Sequence, residues 1–227
     1  MADVSDSKDP NDLLELAYSV ETPDDSRNLY RGWASTFDED FVEASGYVYH
    51  ENVVHAFVDA GGAAGGSVAD VGCGTGVVGV ELGNLGVGNI DGLDISPEML
   101  AVARTKQTVH GTPAYRNTIE ADLTGRVPVE DDVYHGVIST GTFTHGHLGP
   151  TALTELVRIA APTALCAIGI NEHFYEEQGF DAWFAEAANS GKINVPELIS
   201  VQIYDSLQGE HGGTRAVVAL FTVMASA

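Results

Sequence analysis

The chain has few basic residues and very few lysines. Its 227 residues include 10 lysines and arginines against 33 aspartates and glutamates, for a formal net charge of −23. The lysines are Lys8, Lys106 and Lys192. Proteins that bind nucleic acid draw much of their affinity from cationic side chains, and so do proteins that bind anionic membranes. We therefore expect no nucleic-acid partner and no membrane partner.

Cysteine and long apolar runs are also scarce. Cys73 and Cys166 both lie in apolar surroundings, which favours packed thiols over a disulfide. Apolar runs such as 165–170 and 217–223 are far shorter than the ~18 residues that a membrane helix needs. The first 25 residues lack the basic start and apolar core of a secretory signal. With 44% hydrophobic residues, the chain is predicted to form one cytoplasmic domain with a single core.

A glycine-rich turn between a predicted strand and a predicted helix is the most informative segment. Residues 68–76 read VADVGCGTG, and a helical pattern follows at 77–82. Glycines at such a turn let a ligand lie against backbone amides at the positive end of the helix. Residues 90–94 then read as a second strand that ends in Asp94, where a carboxylate can bind both hydroxyls of a ribose. The pattern predicts a site for a nucleoside-containing cofactor.

The glycines fit two cofactor patterns. Gly74, Gly76 and Gly79 match the dinucleotide fingerprint, which is weak evidence alone. The other frame begins at Asp70 and continues through Gly72 to Gly76. Its carboxylate would repel a diphosphate, whereas it would attract the ammonium and sulfonium of S-adenosylmethionine. We prefer the second frame and keep a nicotinamide-dependent oxidoreductase as an alternative.

Strands and helices alternate after residue 60. The predicted strands are 67–71, 89–94, 114–119, 133–139 and 164–170, and the predicted helices are 76–86, 97–106, 150–160 and 173–190. Residues 198–207 and 214–223 are predicted to close the chain as an antiparallel hairpin, joined by 209–213. Alternation of this kind predicts a parallel sheet with helices on both faces. Upstream, we expect a disordered tail over 1–9 and a helical cap over 10–60. Residues 67–227 are expected to form the Rossmann-like core.

Several segments together resemble the class I S-adenosylmethionine-dependent methyltransferases. Residues 68–76 look like their first motif, 92–100 (GLDISPEML) like their second block, and 120–123 (EADL) like the segment that faces the adenine. A narrower group, the methyltransferase-like proteins of the Williams–Beuren syndrome region, is similar at residues 136–148, 30–38 and 175–180.

The resemblance implies a single Rossmann-like α/β domain with a seven-stranded, mostly parallel sheet, a C-terminal antiparallel hairpin and an N-terminal helical cap. It also implies methyl transfer from S-adenosylmethionine to a small soluble acceptor, with S-adenosylhomocysteine as product. Asp70 would hold the amino-acid end of the cofactor, Asp94 its ribose and Asp122 the adenine amine, while Ile95 and Met99 would enclose the ring. The complete predicted cofactor set is Tyr30, Trp33, Asp70, Gly72, Cys73, Gly74, Gly76, Asp94, Ile95, Ser96, Met99, Asp122, Leu123 and Ser139.

Four side chains near the predicted strand ends are candidate bases: His145, His147, His173 and Glu172. Methyl transfer mainly needs alignment, and a base is required when the nucleophile arrives protonated. Imidazole suits this role because it titrates near neutrality. Hydrogen bonding to loop backbone is the alternative for His145 and His147, and a surface carboxylate is the alternative for Glu172. We predict no metal site, because the chain has no paired-cysteine or HExxH spacing. A non-catalytic cofactor-binding protein of the same fold is a second alternative.

Overall fold

The computed structural model describes residues 9–62, 64–205 and 213–225. The α-helices are α1 Pro10–Tyr18, α2 Pro23–Trp33, α3 Tyr49–Asp59, α4 Val77–Asn84, α5 Pro97–Ala103, α6 Leu153–Ile159, α7 Glu172–Gln178 and α8 Phe180–Asn189. The strands are β1 Val68–Val71, β2 Ile90–Asp94, β3 Asn117–Glu120, β4 Tyr134–Phe143, β5 Ala160–Asn171, β6 Glu197–Gln202 and β7 Arg215–Thr222. A π-helical segment, Asp38–Glu43, follows α2, and a 3₁₀ turn, Pro150–Ala152, precedes α6. Residues 1–8, most of the predicted tail, lie outside the described residues, and so do residues 206–212, which include the end of the predicted strand 198–207 and most of the predicted turn 209–213.

The seven strands form one sheet in the order β3-β2-β1-β4-β5-β7-β6. Strand β1 is parallel to β2 and β4, β2 is parallel to β3, and β4 is parallel to β5. Strand β7 is antiparallel to both of its neighbours, β5 and β6. This arrangement confirms the predicted Rossmann-like α/β fold with its C-terminal reversal. The strand order changes direction at β1, the place where open α/β sheets bind their ligands.

Apolar helices cover both faces of the sheet. Phe57 of α3 is fully buried in one hydrophobic cluster, and Leu156 of α6 is fully buried in another. Successive residues of a strand point to opposite faces, so Val68 of β1 packs in the first cluster and Ala69 in the second. Burial on both faces explains why inner strands such as β1 and β5 read as nearly continuous apolar runs.

Helix α3 lies within the segment predicted as a cap, but it packs against the sheet. Val53, Val54 and Phe57 are completely buried there. Gly136 of β4 makes room for this helix, since a Cβ atom at that position would lie 2.6 Å from the Phe57 ring. The part of 10–60 that lies over the end of the sheet is therefore α1, α2 and the π-helical segment.

Several elements differ in extent from the prediction: β3 begins at Asn117, β5 begins at Ala160 and β6 ends at Gln202, and two further differences bear on the site. The helix predicted over 173–190 is two helices, because Gly179 takes a left-handed φ of 75° that ends α7 and begins α8. Strand β4 continues past residue 139, through Gly141 at a φ of 70°. Its register against β5 shifts between Ser139 and Phe143. This shift carries residues 140–142 to the ligand-binding end of the sheet.

Candidate active site

A cavity lies at the carboxyl ends of the parallel strands, beneath α1 and α2. Its walls from the sheet and its loops include Gly72, Cys73, Gly74, Thr75, Asp94, Ile95, Met99, Ala121, Asp122, Leu123, Thr124, residues 140–144, Gly146, His147 and Asn171. Its walls from the cap and the far edge include Leu14, Ala17, Tyr18, Glu21, Tyr30, Trp33, Phe37, Phe41, Tyr47, Tyr49, Ile203 and Tyr204. The charged side chains among the described lining residues are Glu21, Asp94 and Asp122, and none of these lining residues is lysine or arginine.

The glycine turn brings bare backbone to the cavity. Gly72 and Gly74 have φ values of 73° and 52°, in the left-handed region that favours glycine. A Cβ atom on Gly72 would collide with Thr142, so the turn passes directly against β4. A Cβ atom on Gly74 would meet no atom within 4 Å. Gly74 is therefore open to close approach by a ligand, whereas Gly76, the N-cap of α4, lies outside the cavity lining.

Asp94 is held at the end of β2 by backbone amides. Its Oδ2 accepts from Gly74 N–H and its Oδ1 from Ser96 N–H, each with an N···O distance of 2.8 Å. Burial raises the pKa of Asp94, and these hydrogen bonds oppose the rise. Each carboxylate oxygen has a further lone pair, so the group can still accept from paired hydroxyls in the cavity. Its position fits the predicted ribose contact.

The wall around Asp122 is largely apolar. Ile95, Met99 and Leu123 supply apolar side chains to the cavity. Asp122 Oδ1 accepts from the backbone and hydroxyl of Thr124, and its Oδ2 accepts from Arg27 of α2 at 3.0 Å. The carboxylate thus already joins the cap to the sheet, a contact that the sequence did not predict.

The structure places Asp70 beneath the turn and outside the cavity lining. The side chain is completely buried, and its Oδ2 accepts from the Tyr115 hydroxyl at 2.6 Å. That hydroxyl also accepts from Gly79 N–H at 3.1 Å. Burial raises the pKa of Asp70 to about 7, although the Tyr115 hydrogen bond lowers it. Asp70 therefore anchors α4 below the turn instead of facing the amino-acid end of a cofactor.

Two predicted serines serve the frame of the site. Ser96 Oγ accepts from Met99 N–H and caps α5. Ser139 is fully buried, and its Oγ donates to the Val71 carbonyl at 2.7 Å, which ties β4 to β1. Neither serine belongs to the cavity lining. Cys73 does line the cavity, and both cysteines are buried free thiols, as predicted.

Tyr30 and His147 form a hydrogen-bonded couple in the cavity wall. The Tyr30 hydroxyl lies 2.8 Å from His147 Nε2, and His147 Nδ1 lies 3.0 Å from the His145 carbonyl oxygen. A carbonyl oxygen only accepts, so Nδ1 carries the proton and Nε2 accepts from Tyr30 O–H. Burial lowers the pKa of His147, and the hydrogen bond to the His145 carbonyl partly opposes this effect. The lowered pKa keeps the imidazole neutral near pH 7.

The other three predicted bases do not line the cavity. The His145 ring packs between Tyr18 and Phe174, with its Nε2 3.5 Å from Glu177. His173 is exposed, and Glu172 is the first residue of α7. The residue of this stretch that does reach the cavity is Asn171, at the end of β5.

Sequence reasoning missed most of the aromatic wall. Tyr47, Tyr49 and Tyr204 line the cavity with Trp33 and Phe41. Tyr47 and Tyr204 form an isolated antiparallel bridge that joins the segment just before α3 to the segment after β6. Isolated tyrosines so far apart in sequence carry no motif that predicts their meeting.

Metal binding and membrane insertion find no support in the described part of the chain. No three His, Cys, Asp or Glu side chains among the described residues are grouped so that they can hold a metal ion. None of the described helices has the length and apolar character needed to cross a membrane.

Comparisons with known proteins agree with this fold. Residues 68–163 match the family model described as a methyltransferase domain. No curated protein sequence matches the chain. A chain from the Haloferax volcanii complex between the methyltransferase activator Trm112 and its methyltransferase has a TM-score of 0.65 at 18% identity, covering 88% of this chain and 98% of that one.

Two further solved structures extend the likeness. A SAM-dependent methyltransferase from Aquifex aeolicus has a TM-score of 0.58 at 19% identity, covering 85% of this chain and 98% of that one. A TehB-like SAM-dependent methyltransferase from Corynebacterium glutamicum has a TM-score of 0.53 at 21% identity, covering 89% of this chain and all of that one. At these identities the likeness shows the fold. The sheet has the Rossmann-like fold of these solved structures, and the match of residues 68–163 to a methyltransferase domain supports methyl transfer.

Proposed function

We propose that the protein transfers a methyl group from S-adenosylmethionine to a small soluble acceptor. One observation carries this proposal: the open backbone of Gly74 and the carboxylate of Asp94 share a cavity in which every charged lining side chain of the described residues is acidic. Such a site favours a ligand with ammonium and sulfonium charges. A diphosphate would instead be repelled by Asp94 and Glu21, whereas Asp122 is paired with Arg27, which lies just outside the lining.

The residues of this cavity divide the work of binding. When bound, S-adenosylmethionine supplies an electrophilic methyl group on a sulfonium. Gly74 gives a ligand access to backbone, Asp94 is placed to accept from ribose hydroxyls, and Ile95 and Met99 offer apolar contact to a purine. Tyr30 of α2 shares the lining, so the cap also excludes water from the reacting groups.

We assign the role of base to His147 among the four predicted candidates. His147 lines the cavity, and its hydrogen bond to the His145 carbonyl fixes its neutral tautomer. Its Nε2 already accepts a hydrogen bond from the Tyr30 hydroxyl. His145, His173 and Glu172 lie outside the lining, and we propose no chemical role for them.

A nicotinamide oxidoreductase is the less favoured function. The dinucleotide frame needs Gly79, but this glycine is buried in α4, where a Cβ atom would collide with Tyr115. Gly79 is thus accounted for by packing. The alternative of a non-catalytic protein of the same fold has a direct test. Methyl transfer from a labelled donor to any component of a metabolite extract would exclude it.

Three finer expectations remain predictions. The first is the narrower resemblance to the Williams–Beuren syndrome region proteins, drawn from residues 136–148, 30–38 and 175–180. The other two are the cytoplasmic location and the absence of nucleic-acid partners. The buried free thiols of Cys73 and Cys166 support a reducing compartment.

Substitution of Asp94 tests the proposed cofactor site. Asp94→Ala removes the carboxylate that faces the cavity, and we expect S-adenosylhomocysteine affinity, measured by calorimetry, to fall at least about 100-fold, the loss of roughly two charge-assisted hydrogen bonds. Glu120→Ala is the matched control, because Glu120 pairs with Asp94 across β2 and β3 but is exposed. Equal affinities in the two variants would remove Asp94 from the ribose site.

A further inference from the structure

The cavity has a second half whose character differs from that of the cofactor half. Asp94 and Asp122 lie at the ends of β2 and β3, on the cofactor side. The other side, here called the acceptor chamber, is defined by Trp33, Phe41, Tyr47, Tyr49, Tyr204 and His147. These side chains are aromatic and carry no charge at neutral pH. The polar atoms that they present are phenol hydroxyls, an indole N–H and a neutral imidazole.

The rings of the acceptor chamber form a continuous aromatic wall. Phe41 lies 5.4 Å from Trp33 and 6.1 Å from Tyr204, both edge-on, and Tyr47 lies 5.8 Å from Tyr204, measured between ring centroids. A flat aromatic guest can add further edge and face contacts to such a wall. A carboxylate in the chamber would lose its hydration without gaining an opposite charge, and an ammonium would gain contact with ring faces but no carboxylate among the chamber residues. The chamber therefore selects an uncharged aromatic body.

Two buried donors in the chamber lack partners. Tyr49 is 3% exposed and Trp33 is 1% exposed, and neither the Tyr49 hydroxyl nor Trp33 Nε1 has a hydrogen-bond partner among the described residues. The Tyr49 hydroxyl sits over Gly169 of β5, where a Cβ atom would collide with it. Buried donors are usually satisfied in native proteins. A guest that carries an oxygen would supply the missing acceptor.

A proton path begins at the edge of this chamber. Tyr30 stacks on Trp33 with ring centroids 6.2 Å apart, and its hydroxyl donates to His147 Nε2. Asp94 and Tyr18 are the titratable side chains that act electrostatically on Tyr30. The backbone carbonyl of His145 holds His147 through a hydrogen bond to Nδ1. A proton accepted by the Tyr30 oxygen can displace the Tyr30 proton onto His147.

We infer that the methyl acceptor is an uncharged aromatic compound that carries a hydroxyl, methylated on oxygen, with Tyr30 and His147 as its proton relay. In the step, the acceptor oxygen bonds to the methyl carbon as the carbon–sulfur bond breaks, and sulfur keeps the electron pair. The hydroxyl proton passes to the Tyr30 oxygen while the Tyr30 proton passes to His147 Nε2. The resulting imidazolium then releases its proton to water. This inference rests on the proposed function.

A matched panel of naphthalenes tests the charge selectivity. The probes are 2-naphthol, 6-hydroxy-2-naphthoate and 2-naphthylmethylamine, which share a ring system and differ in charge. With saturating S-adenosylhomocysteine present, calorimetry should show that the naphthol binds at least about tenfold more tightly than either charged probe. Labelled S-adenosylmethionine should give the methyl ether of the naphthol.

Each outcome of the panel decides between the two proposals. If S-adenosylhomocysteine itself does not bind, the proposed function fails and the inference fails with it. If it binds but a charged naphthalene binds as well as the naphthol, or the naphthol does not bind, the inference fails and the proposed function stands.

Tyr30→Phe tests the relay while keeping the ring. We expect kcat for the naphthol to fall about 100-fold, with S-adenosylhomocysteine affinity and KM within about twofold of the parent. In the parent, kcat should rise with pH as His147 loses its proton, and His147→Gln should abolish that rise. Tyr175→Phe is the control, because Tyr175 packs on Phe180 and Phe184 outside the cavity lining. An unchanged kcat and pH profile in Tyr30→Phe would overturn the relay.

Discussion

Gly74 combines a left-handed backbone with an open side toward the cavity. Its φ of 52° costs an L-residue roughly 1–2 kcal/mol, and its missing side chain leaves room for a ligand. We expect Gly74→Ala to lower S-adenosylhomocysteine affinity at least about tenfold, because the new methyl group would occupy the space of the ligand. Calorimetry measures the affinity, and urea unfolding measures the stability.

Gly111→Ala separates backbone strain from ligand contact. Gly111 also has a left-handed φ, of 73°, and a Cβ atom added there would meet no atom within 4 Å, but it lies outside the cavity lining. The two variants should lose similar stability, while Gly111→Ala keeps its affinity. A parallel loss of affinity in both would assign the effect to strain.

Asp70 makes the stability depend on pH. Its folded pKa of about 7 lies above the ordinary value of 3.8, so between these values the folded protein holds a proton that the unfolded chain has released. The free energy of unfolding therefore falls as pH rises from about 4 to about 7, by at most ~1.4 kcal/mol per pH unit from this group.

Asp70→Asn should remove this part of the pH dependence. The amide oxygen of the introduced asparagine would still accept from the Tyr115 hydroxyl, which donates to Asp70 at 2.6 Å in the parent. The substitution therefore keeps this hydrogen bond and removes the ionisable group. Urea unfolding at several pH values measures the slope, and exposed Asp59→Asn on α3 is the charge-matched control. A slope that Asp70→Asn leaves unaltered would show that Asp70 ionises normally in the folded protein.

Single residues also show where sequence reasoning stops. The position of Asp94 follows from its place at the end of a strand, and the structure puts it at the cavity as the pattern predicts. Asp70 stands in an equally suggestive pattern, but Tyr115, 45 residues later, binds it below the turn. A side chain's direction depends on such long-range partners, and a motif does not encode them.

The cap helix α2 is fastened to the core by two ion pairs. Arg27 lies 3.0 Å from Asp122, and Arg31 lies 3.1 Å from Glu98 of α5. Partly exposed pairs of this kind contribute about 0.2–1 kcal/mol each. We expect Arg27→Gln to weaken S-adenosylhomocysteine binding by up to about fivefold at low salt, because the cap then closes less often over the cavity.

Varying the salt concentration tests the ion pair between Arg27 of α2 and Asp122. Screening weakens exposed ion pairs, so the difference between Arg27→Gln and the parent should shrink at high ionic strength. Arg126→Gln is the control, since Arg126 pairs with Asp131 at 2.7 Å outside the cavity lining. If Arg126→Gln weakens binding as much, the loss comes from net charge and not from the cap.

Elements were predictable where the local pattern was strong. The alternation of strands and helices gave every strand of the sheet and most helices, because period and glycine punctuation are local signals. The break at Gly179 and the extension of β4 through Gly141 were not predictable, since a helix or strand can also accommodate an isolated glycine. The assignment of α3 to the core depends on its packing against β4, a tertiary contact.

At the scale of the whole molecule, acidity and fold point the same way. The chain carries a formal net charge of −23, and the acidic character extends into the cavity through Asp94 and Asp122. A cationic cofactor is drawn to such a surface, whereas anionic ligands are repelled over the same distance. The closing antiparallel strands complete the sheet, and the residues just after β6 bring Tyr204 to the acceptor chamber.

A crystal structure of the protein with S-adenosylhomocysteine tests the central claim most directly. We expect the ribose hydroxyls to lie within hydrogen-bond distance of Asp94, and the amino-acid end to lie along the backbone of Gly72 and Gly74. The homocysteine sulfur should point toward the acceptor chamber. Density for the ligand elsewhere, or an unliganded glycine turn at saturating concentration, would contradict the assignment of this cavity.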